Sequence, residues 1–311
     1  MTSPGSTRAG TSGIAPGATK VFFIASLSHS GSTLLDLMLN AHPEIVSVGE
    51  LKQLGRFARQ EKVNRRLRCT CGAESLLACD FWAPVSAHTE AAIGRTIREL
   101  NVEDYSEVDS FATDNVALFR AISAVSGKKY VVDSSKHVTR LARLIENPAL
   151  DVVPIFLLRD PKGQVCSSHK KTSSLIKLIG NYVRTNRGIY GIVKDRAHAV
   201  IHYEDLVRRP EQTLGLLMQR LGLSFHPQQL QWASGARHNV GGNGMRRGDS
   251  SELRLDERWR RHFTLPQKLV IDAGTLPGRY PFLKFQLPNT LRKSSGKAYG
   301  DGSPSIRPPS R

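Results

Sequence analysis

The sequence has little of several features that define large classes of protein. Four cysteines in 311 residues are too few for the disulfide framework of a secreted domain, so we expect a reducing cytoplasm. No apolar run approaches the roughly 18 residues that span a bilayer, and residues 1–19 lack the apolar core of a secretory signal. No internal repeat is visible, and the composition excludes collagen, coiled coil and wholesale disorder. The expectation is a cytoplasmic globular protein without integral membrane association.

Positive charge is what the sequence has in excess. Lys and Arg number 44 against 27 Asp and Glu, which gives a formal net charge of +17. Such a field favours anionic partners: a nucleotide, a sulfated or phosphorylated substrate, a nucleic acid or a membrane surface. The low aromatic content of 7% and the absence of a helix-turn-helix or zinc-finger pattern make a nucleic-acid-binding protein the least favoured of these.

The apolar runs predict an α/β fold. Between a tail at residues 1–19 and a basic tail at 289–311, both rich in Ser, Gly and Pro and predicted to be disordered, residues 20–288 form one domain. Four runs are apolar on both faces, as in parallel strands; each is followed by a polar turn and a helical pattern, and residues 86–126 are predicted to be a helical insertion. The predicted strands are Val21–Leu27, Tyr130–Val132, Val152–Leu158 and Ala199–Tyr203. Ligands of open parallel sheets bind at the carboxyl ends of the strands, so the site is expected just after these runs.

Small residues follow the first predicted strand, in the sequence Ser28-His29-Ser30-Gly31-Ser32-Thr33. Small side chains let the backbone wrap an anion, and the following helix adds N–H groups and its dipole. The loop is not a Walker A loop, because Ser32 occupies the position of its lysine. The alternative is a helix capped by Ser30 or Ser32.

A cation follows the third predicted strand. Arg159 stands at its end, and Ser167 lies eight residues on, about two turns into the next helix. Arginine grips phosphate bidentately and serine adds a neutral donor. The alternative is that Arg159 pairs with Asp160 or another acid at the sheet edge.

Together these two segments resemble the cofactor site of sulfotransferases that use 3′-phosphoadenosine 5′-phosphosulfate (PAPS). The first is similar to the family's 5′-phosphosulfate loop, and the second to its 3′-phosphate strand and helix. The similarity extends from about Val21 to Thr264 and includes the segments VIHYEDLVRRP, GMRRG with WRRHFT, AHPEIVSVGE, and CTCG…CDFW. The segment AHPEIVSVGE resembles tyrosylprotein sulfotransferases and bacterial relatives, and CTCG…CDFW resembles an insertion of bacterial members. The resemblance implies a P-loop-like three-layer α/β/α fold with a mainly parallel central sheet, so that 20–288 is a sulfotransferase domain.

The resemblance also implies which residues bind PAPS. The residues that would hold the 5′-phosphosulfate are His29, Ser30, Gly31, Ser32 and Thr33. His29 stands where relatives usually have Arg or Lys. Those that would hold the 3′-phosphate are Arg159 and Ser167, helped by Arg246 and Arg247.

For catalysis, the resemblance places Lys136 near the sulfuryl group and Glu50 at the position of the catalytic base, with His137 as the second candidate. Sulfuryl transfer to a hydroxyl needs a base for the acceptor proton and cations for the charge that builds on the leaving phosphate. Because loop cations can replace a metal, we expect no metal requirement. The alternatives are structural: Glu50 caps a helix, Lys136 is solvated, and His137 packs.

Three cysteines, Cys69, Cys71 and Cys79, fall within eleven residues. A zinc site needs a fourth ligand, for which His88 is a distant candidate, and the spacing is not a standard zinc pattern. A disulfide is the other possibility, and we expect a structural rather than catalytic role, with no metal site.

Two competing functions stay open at this point: a P-loop-type ATP-dependent kinase, which the missing Walker lysine disfavours, and a basic nucleic-acid-binding protein. The leading prediction is a bacterial PAPS-dependent sulfotransferase. Its partner is a hydroxyl-bearing acceptor: a carbohydrate, glycolipid, peptide or natural product.

Overall fold

A five-stranded parallel sheet organises the chain. The structure, a computed structural model, describes residues 17–60, 67–169 and 174–279, and within these ranges the strand order is β2-β3-β1-β4-β5. All four pairings are parallel. The strands are β1 (Thr19–Ala25), β2 (Ile45–Ser47), β3 (Tyr130–Asp133), β4 (Leu150–Leu158) and β5 (Ala199–His202). The central strand β1 therefore ends between β3 and β4, where the predicted ligand loops meet.

Helices cover both faces of this sheet. Along β1, Phe22 and Ile24 belong to one apolar core, whereas Val21, Phe23 and Ala25 belong to another, as the two-residue period of a strand requires. The first core is completed mainly by α1, α8 and α9, and the second by α2–α5 and α7. The longer helices are α1 (Ser32–Asn40), α3 (Trp82–Ile93), α4 (Val108–Ser126), α5 (Val138–Ile145), α6 (Pro161–His169), α7 (Leu175–Val193), α9 (Pro210–Leu221) and α11 (Leu265–Arg279). Three short ones are α2 (Leu54–Ala58), α8 (Tyr203–Arg208) and α10 (Trp259–His262).

The sequence-based fold class is confirmed: the layers are α/β/α around a parallel sheet. All four predicted strands are present, but β2 is an addition, because its three residues are too short to show a period. The fourth strand ends at His202, and Tyr203 opens α8. Strand β1 begins at Thr19, one residue inside the predicted tail. Most of both predicted tails, and residues 170–173, lie outside the described residues.

Candidate active site

The loop between β1 and α1 has the backbone of an anion cradle. Two of its residues have positive φ angles, 69° at His29 and 92° at Gly31. A side chain at Gly31 is excluded for a second reason, because a Cβ there would lie 2.4 Å from Cδ2 of Tyr203. Ser30, Ser32 and Thr33 are buried. The close approach of Tyr203 leaves room only for glycine at the entry to α1.

Helix α1 begins without a side-chain cap. Its N-cap is Gly31, and no side chain accepts a hydrogen bond from the first turn. The alternative in which Ser30 or Ser32 caps this helix is therefore wrong. The uncapped N–H groups and the positive end of the helix dipole meet the loop, which is the arrangement that favours a bound anion.

A second group of side chains, called here the phosphate-side cluster, consists of Arg159, Ser167, Asp256 and Arg258. Arg159 is 7% exposed and its Nη1 donates to the carbonyl of His29 at 2.7 Å and to Ser167 Oγ at 3.4 Å. Its Nη2 donates to Asp256 Oδ2 at 2.9 Å. The structure thus brings Arg159 and Ser167 together and ties them to the β1–α1 loop, as the sequence predicts.

Asp256 and Arg258 are members of this cluster that sequence reasoning missed. Arg258 grips Asp256 with two hydrogen bonds, from Nε at 2.7 Å and from Nη2 at 2.8 Å. These bonds from Arg258, with that from Arg159, overcome partial burial and hold the pKa of Asp256 well below its usual range. Arg159 also lies 4.6 Å from the ring centre of Tyr203, and its buried Nε has no hydrogen-bond partner among the described residues. Of the alternative pairings of Arg159, with Asp160 or with another acid, the structure has the second: the acid is Asp256, nearly a hundred residues later.

The second set, called here the catalytic-side cluster, consists of Glu50, Lys136, Asp36 and Asn239. Lys136 Nζ donates to Glu50 Oε1 at 2.5 Å and to the carbonyl of Ser134 at 3.0 Å. Gln53 Nε2 donates to the other oxygen of Glu50 at 2.7 Å. Both charged side chains are about one-tenth exposed. Burial opposes ionisation of Glu50, but the neighbouring ammonium and the two hydrogen bonds together lower its pKa.

The turn that carries Lys136 is held by the buried ion pair of Asp133 and Arg140. Lys136 has a φ of 63°, which a residue with a Cβ adopts rarely and at a cost. Asp133 accepts from Ser135 N at 2.9 Å and from Arg140 Nε at 2.7 Å, and the Asp133 and Arg140 side chains are fully buried. These buried contacts of Asp133 hold the strained backbone at Lys136 in place.

The segment 239–246 closes the catalytic side. Val240 exchanges backbone hydrogen bonds with the β2 exit, Val240 N to Val48 O and Glu50 N to Val240 O, both at 2.7 Å. A Cβ on Gly241 would lie 2.8 Å from Glu50 Cβ, and one on Gly242 would lie 3.4 Å from Thr33 Oγ1. The glycines therefore let one segment touch both the carboxylate and the β1–α1 loop, which places the two beside each other.

Asp36 lies under this junction and is fully buried. It accepts hydrogen bonds from Ser47 Oγ and, at 2.7 Å, from Asn239 Nδ2. Burial raises the pKa of Asp36 from 3.8 to about 6; hydrogen bonds from Ser47 and Ser134 and the charge of Lys136 oppose the rise, and the charge of Glu50 adds to it. Sequence reasoning missed Asp36, although a lone carboxylate within the apolar stretch LLDLML of α1 is a signal of a buried polar role.

His137 is the N-cap of α5. Among the described residues, no hydrogen bond joins it to the Glu50 carboxylate. Its Nδ1 accepts from Arg140 N at 3.4 Å, and its ring stacks on Tyr105 with centres 5.0 Å apart. Burial, with the charges of Lys52 and Arg140, lowers its pKa. A neutral imidazole that accepts at Nδ1 carries its proton on Nε2, so this tautomer has no free acceptor nitrogen.

Arg246 and Arg247 have contacts on the catalytic side, and their predicted part in holding the 3′-phosphate stays a prediction. Arg246 is buried; its Nη1 donates to Asn239 O at 3.0 Å and its guanidinium lies 5.4 Å from the ring centre of Phe57. Burial, then the charge of Arg247, lowers the pKa of Arg246 to about 10. Arg247 donates to the carbonyl of Arg68 at 2.9 Å. The structure thus gives these two arginines contacts that support the closing segment.

Comparisons with known proteins identify the family. The model of a sulfotransferase family matches residues 22–227, more than half of the chain, and the chain therefore belongs to the sulfotransferase family. No curated protein sequence gives a significant match.

Solved structures resemble the fold. The sulfotransferase domain of the Synechococcus PCC 7002 olefin synthase is 20% identical, covering 83% of this chain and 95% of that one, with a TM-score of 0.55. A sulfotransferase from Alicyclobacillus acidocaldarius is 15% identical over 82% of this chain and 93% of that one, with a TM-score of 0.41. The first of these likenesses supports the fold. None of the described helices is both long and apolar enough to cross a membrane.

Proposed function

We propose that this sulfotransferase takes its sulfuryl group from PAPS and transfers it to a hydroxyl acceptor, with Glu50 as the general base. The observation that carries the proposal is the buried Glu50–Lys136 pair, 2.5 Å between Oε1 and Nζ, set beside an uncapped β1–α1 loop that Arg159 joins to a second cationic group. A carboxylate, an ammonium and two anion-binding groups in one edge of the sheet match the needs of this reaction.

The donor would lie across the β1–α1 loop. Its 5′-phosphosulfate would accept from the N–H groups of residues 30–33 and from the hydroxyls of Ser32 and Thr33. Its 3′-phosphate would reach Arg159 and Ser167, with Arg258 as a further cation. The free Nε–H of Arg159 supplies a donor that this anion would satisfy.

Catalysis would then proceed in line. The acceptor oxygen forms a bond to sulfur as the bond between sulfur and the 5′-phosphate oxygen breaks, and the acceptor proton passes to Glu50. Adenosine 3′,5′-bisphosphate (PAP) leaves with the negative charge of the broken bond. The ammonium of Lys136 would shift from Glu50 toward the sulfuryl oxygens, which raises the basicity of the carboxylate when the proton must be taken.

The positive charges needed for this step come from the chain, so we expect no Mg²⁺ requirement. Turnover should be unchanged when Mg²⁺ is withheld. Loss of turnover that added Mg²⁺ restores would contradict the proposal.

The decisive binding experiment compares nucleotides by thermal unfolding. At about 100 times its Kd, PAP should add about 2.7 kcal/mol of stability, and Mg·ATP should add less. Arg159→Ala should weaken PAP binding about 10–100-fold, the cost of a charge-assisted hydrogen bond to phosphate, whereas Arg254→Ala, at an exposed arginine paired with Glu252, should not. A larger shift with Mg·ATP than with PAP would favour the kinase alternative.

The acceptor class follows from the base. A Glu50-type base resembles that of enzymes acting on carbohydrates and peptides more than that of enzymes acting on simple phenols. The acceptors to test are therefore sugars, glycolipids, peptides and natural products with hydroxyl groups.

A further inference from the structure

Four potential metal ligands converge at the edge of the catalytic side. The sulfurs of Cys69, Cys71 and Cys79 and a ring nitrogen of His238 all lie within 4.8 Å of one another. Cys69 and Cys79 are buried, and Cys71 is exposed. His238 is 159 residues from Cys79, so the chain folds back on itself to complete the group. The candidate named from the sequence, His88, is not a member: its Nδ1 lies 3.0 Å from the carbonyl of Pro84.

Four of the six distances between these atoms lie close to the edges of a tetrahedron around one ion, and the other two are within 4.8 Å. The sulfur of Cys79 lies 3.5 Å from that of Cys71 and 3.7 Å from that of Cys69. Nδ1 of His238 lies 3.3 Å from the sulfur of Cys79 and 3.8 Å from that of Cys69. Zinc bonds of about 2.3 Å to sulfur and 2.0 Å to nitrogen predict edges of about 3.5–3.8 Å. A disulfide would need two sulfurs at about 2.05 Å.

The surroundings hold these ligands in that orientation. Gly72, with a φ of 91°, closes a turn in which its N–H donates to the carbonyl of Cys69 at 3.1 Å. Backbone N–H groups point at each sulfur: that of Cys71 at Cys69, that of Ala73 at Cys71, and those of residues 81 and 82 at Cys79. Such outer hydrogen bonds orient metal ligands and stabilise thiolates.

Both the ring and the backbone carbonyl of His238 are held by neighbouring side chains. The ring of Phe81 stacks on that of His238, with centres 4.9 Å apart and planes at 13°. Trp82 Nε1 donates to the carbonyl of His238 at 2.9 Å. The ring nitrogen is thus presented to the sulfurs by packing that does not depend on the thiols themselves.

We propose that Cys69, Cys71, Cys79 and His238 bind one Zn²⁺ in a closed structural site. Three thiolates and one imidazole complete a tetrahedral shell and leave no position for a water or a substrate, which distinguishes a structural site from a catalytic one. From the sequence we expected no metal site, and this proposal replaces that expectation. The expected independence of catalysis from Mg²⁺ is unaffected.

The metal would fasten the segment that closes the active site. Asn239 follows His238 directly; its side chain reaches Asp36 and its N–H donates to Thr70 Oγ1 at 2.9 Å. Val240 follows and pairs with Gly49. One zinc ion would thereby join the cysteine loop at 69–79 to the segment after His238, whose backbone positions Glu50. The two segments are far apart in the sequence.

The test is the metal content of the full-length chain purified without a His tag. We expect one zinc per chain by plasma mass spectrometry, released when the thiols are titrated with a mercurial. Metal-free protein, or a disulfide between two of the three cysteines found by mass spectrometry under non-reducing conditions, would overturn the proposal. This result does not depend on the donor or acceptor, so it fails or stands separately from the proposed function.

Matched variants locate the ion. His238→Ala and Cys71→Ser, the latter at the exposed ligand, should each lower zinc to well below one per chain, while His88→Ala should keep it. Unchanged zinc in both ligand variants would place the ion elsewhere and refute the assignment. If a variant does not fold, Co²⁺ replacement in the wild type serves instead: a tetrahedral thiolate site gives intense visible absorption, and its absence contradicts the site.

Hydrogen exchange tests the fastening role. Removal of zinc from the wild type should raise exchange in 237–241 and at Glu50 before it affects β1 or β4. Equal protection of 237–241 with and without zinc would show that the ion does not hold this segment.

Discussion

The two halves of the active site are built from the same kinds of charge but in opposite ways. In the phosphate-side cluster, Asp256 is about one-fifth exposed and Arg258 about three-fifths exposed. In the catalytic-side cluster, Glu50 and Lys136 are about one-tenth exposed and Asp36 is buried. Exposed ion pairs contribute about 0–1 kcal/mol, whereas breaking a buried one is costly.

The difference indicates a division of labour. Asp256 accepts from Arg159 and lies 3.4 Å from Ser167 Oγ, where a phosphate would take the same donors. Because Asp256 is partly exposed, a ligand anion can reach the position of its carboxylate and take over the bond from the buried Arg159. The catalytic side, in contrast, is held by burial and by the strained backbone at Lys136, which suits groups whose backbone must stay in place while their side chains act.

The largest effect is expected from the catalytic side. Glu50→Gln removes the proton acceptor and should lower turnover about 10²–10⁴-fold while the Kd for PAP stays within about twofold. The measurement is PAP release from PAPS with an acceptor that supports turnover, together with PAP binding. Glu44→Gln, at a surface carboxylate paired with Lys129, is the matched control. Unchanged turnover in Glu50→Gln would transfer the role of base to another group; for His137, the second candidate, that role would require the Nδ1 bond from Arg140 N to open.

A stability effect of intermediate size is expected at Asp36. Its pKa rises on folding from 3.8 to about 6 because of burial, so the folded state binds the proton more tightly than the unfolded state. The resulting stabilisation is present below about pH 4 and is lost as the pH rises through about 6, by about 3 kcal/mol for a shift of about two units.

Urea unfolding of wild type and Asp36→Asn between about pH 4 and pH 7 measures this contribution. The free energy of unfolding should fall less with rising pH in Asp36→Asn than in the wild type. In the control Asp104→Asn, at an exposed aspartate, the free energy of unfolding should fall with rising pH as much as in the wild type. Parallel pH profiles for wild type and Asp36→Asn would contradict the raised pKa.

The smallest effect is expected on the phosphate side. Asp256→Asn removes the carboxylate that competes with a phosphate for Arg159 and should tighten PAP binding about twofold to fivefold, the range of a partly exposed ion pair. Calorimetric Kd values at fixed salt measure it, with Glu252→Gln as the surface control. Weaker binding in Asp256→Asn would show that the carboxylate orients Arg159 instead of competing for it.

The sequence predicts best those parts of the site that lie within one strand–turn–helix, for a physical reason. The β1–α1 loop and the Arg159–Ser167 pair each lie within one strand–turn–helix, whose period and small residues are visible locally. Asp256, by contrast, reaches Arg159 from 97 residues away, and no local pattern announces such a contact. The assignments of Glu50 and Lys136 came from the family resemblance, and their roles stay predictions.

The same reason explains what was missed in the fold and at the metal ligands. Strand β2 has three residues and joins the sheet only through pairing with β3, so its identity depends on the partner. His238 has no cysteine near it in the sequence. A search for a histidine far from the cysteines could have suggested it, but only the packing of Phe81 and Trp82 selects it.

The pairing of Gly49 with Val240 has a consequence for how the site is assembled in time. The two residues are 240 − 49 = 191 positions apart, and a Cβ on Gly49 would lie 2.3 Å from the carbonyl of Val240. Closing a longer stretch of chain costs more entropy, although the cost rises slowly with length, and contacts between distant residues tend to form late in folding. The carboxylate of Glu50 thus shares the opening equilibrium of residues 239–246.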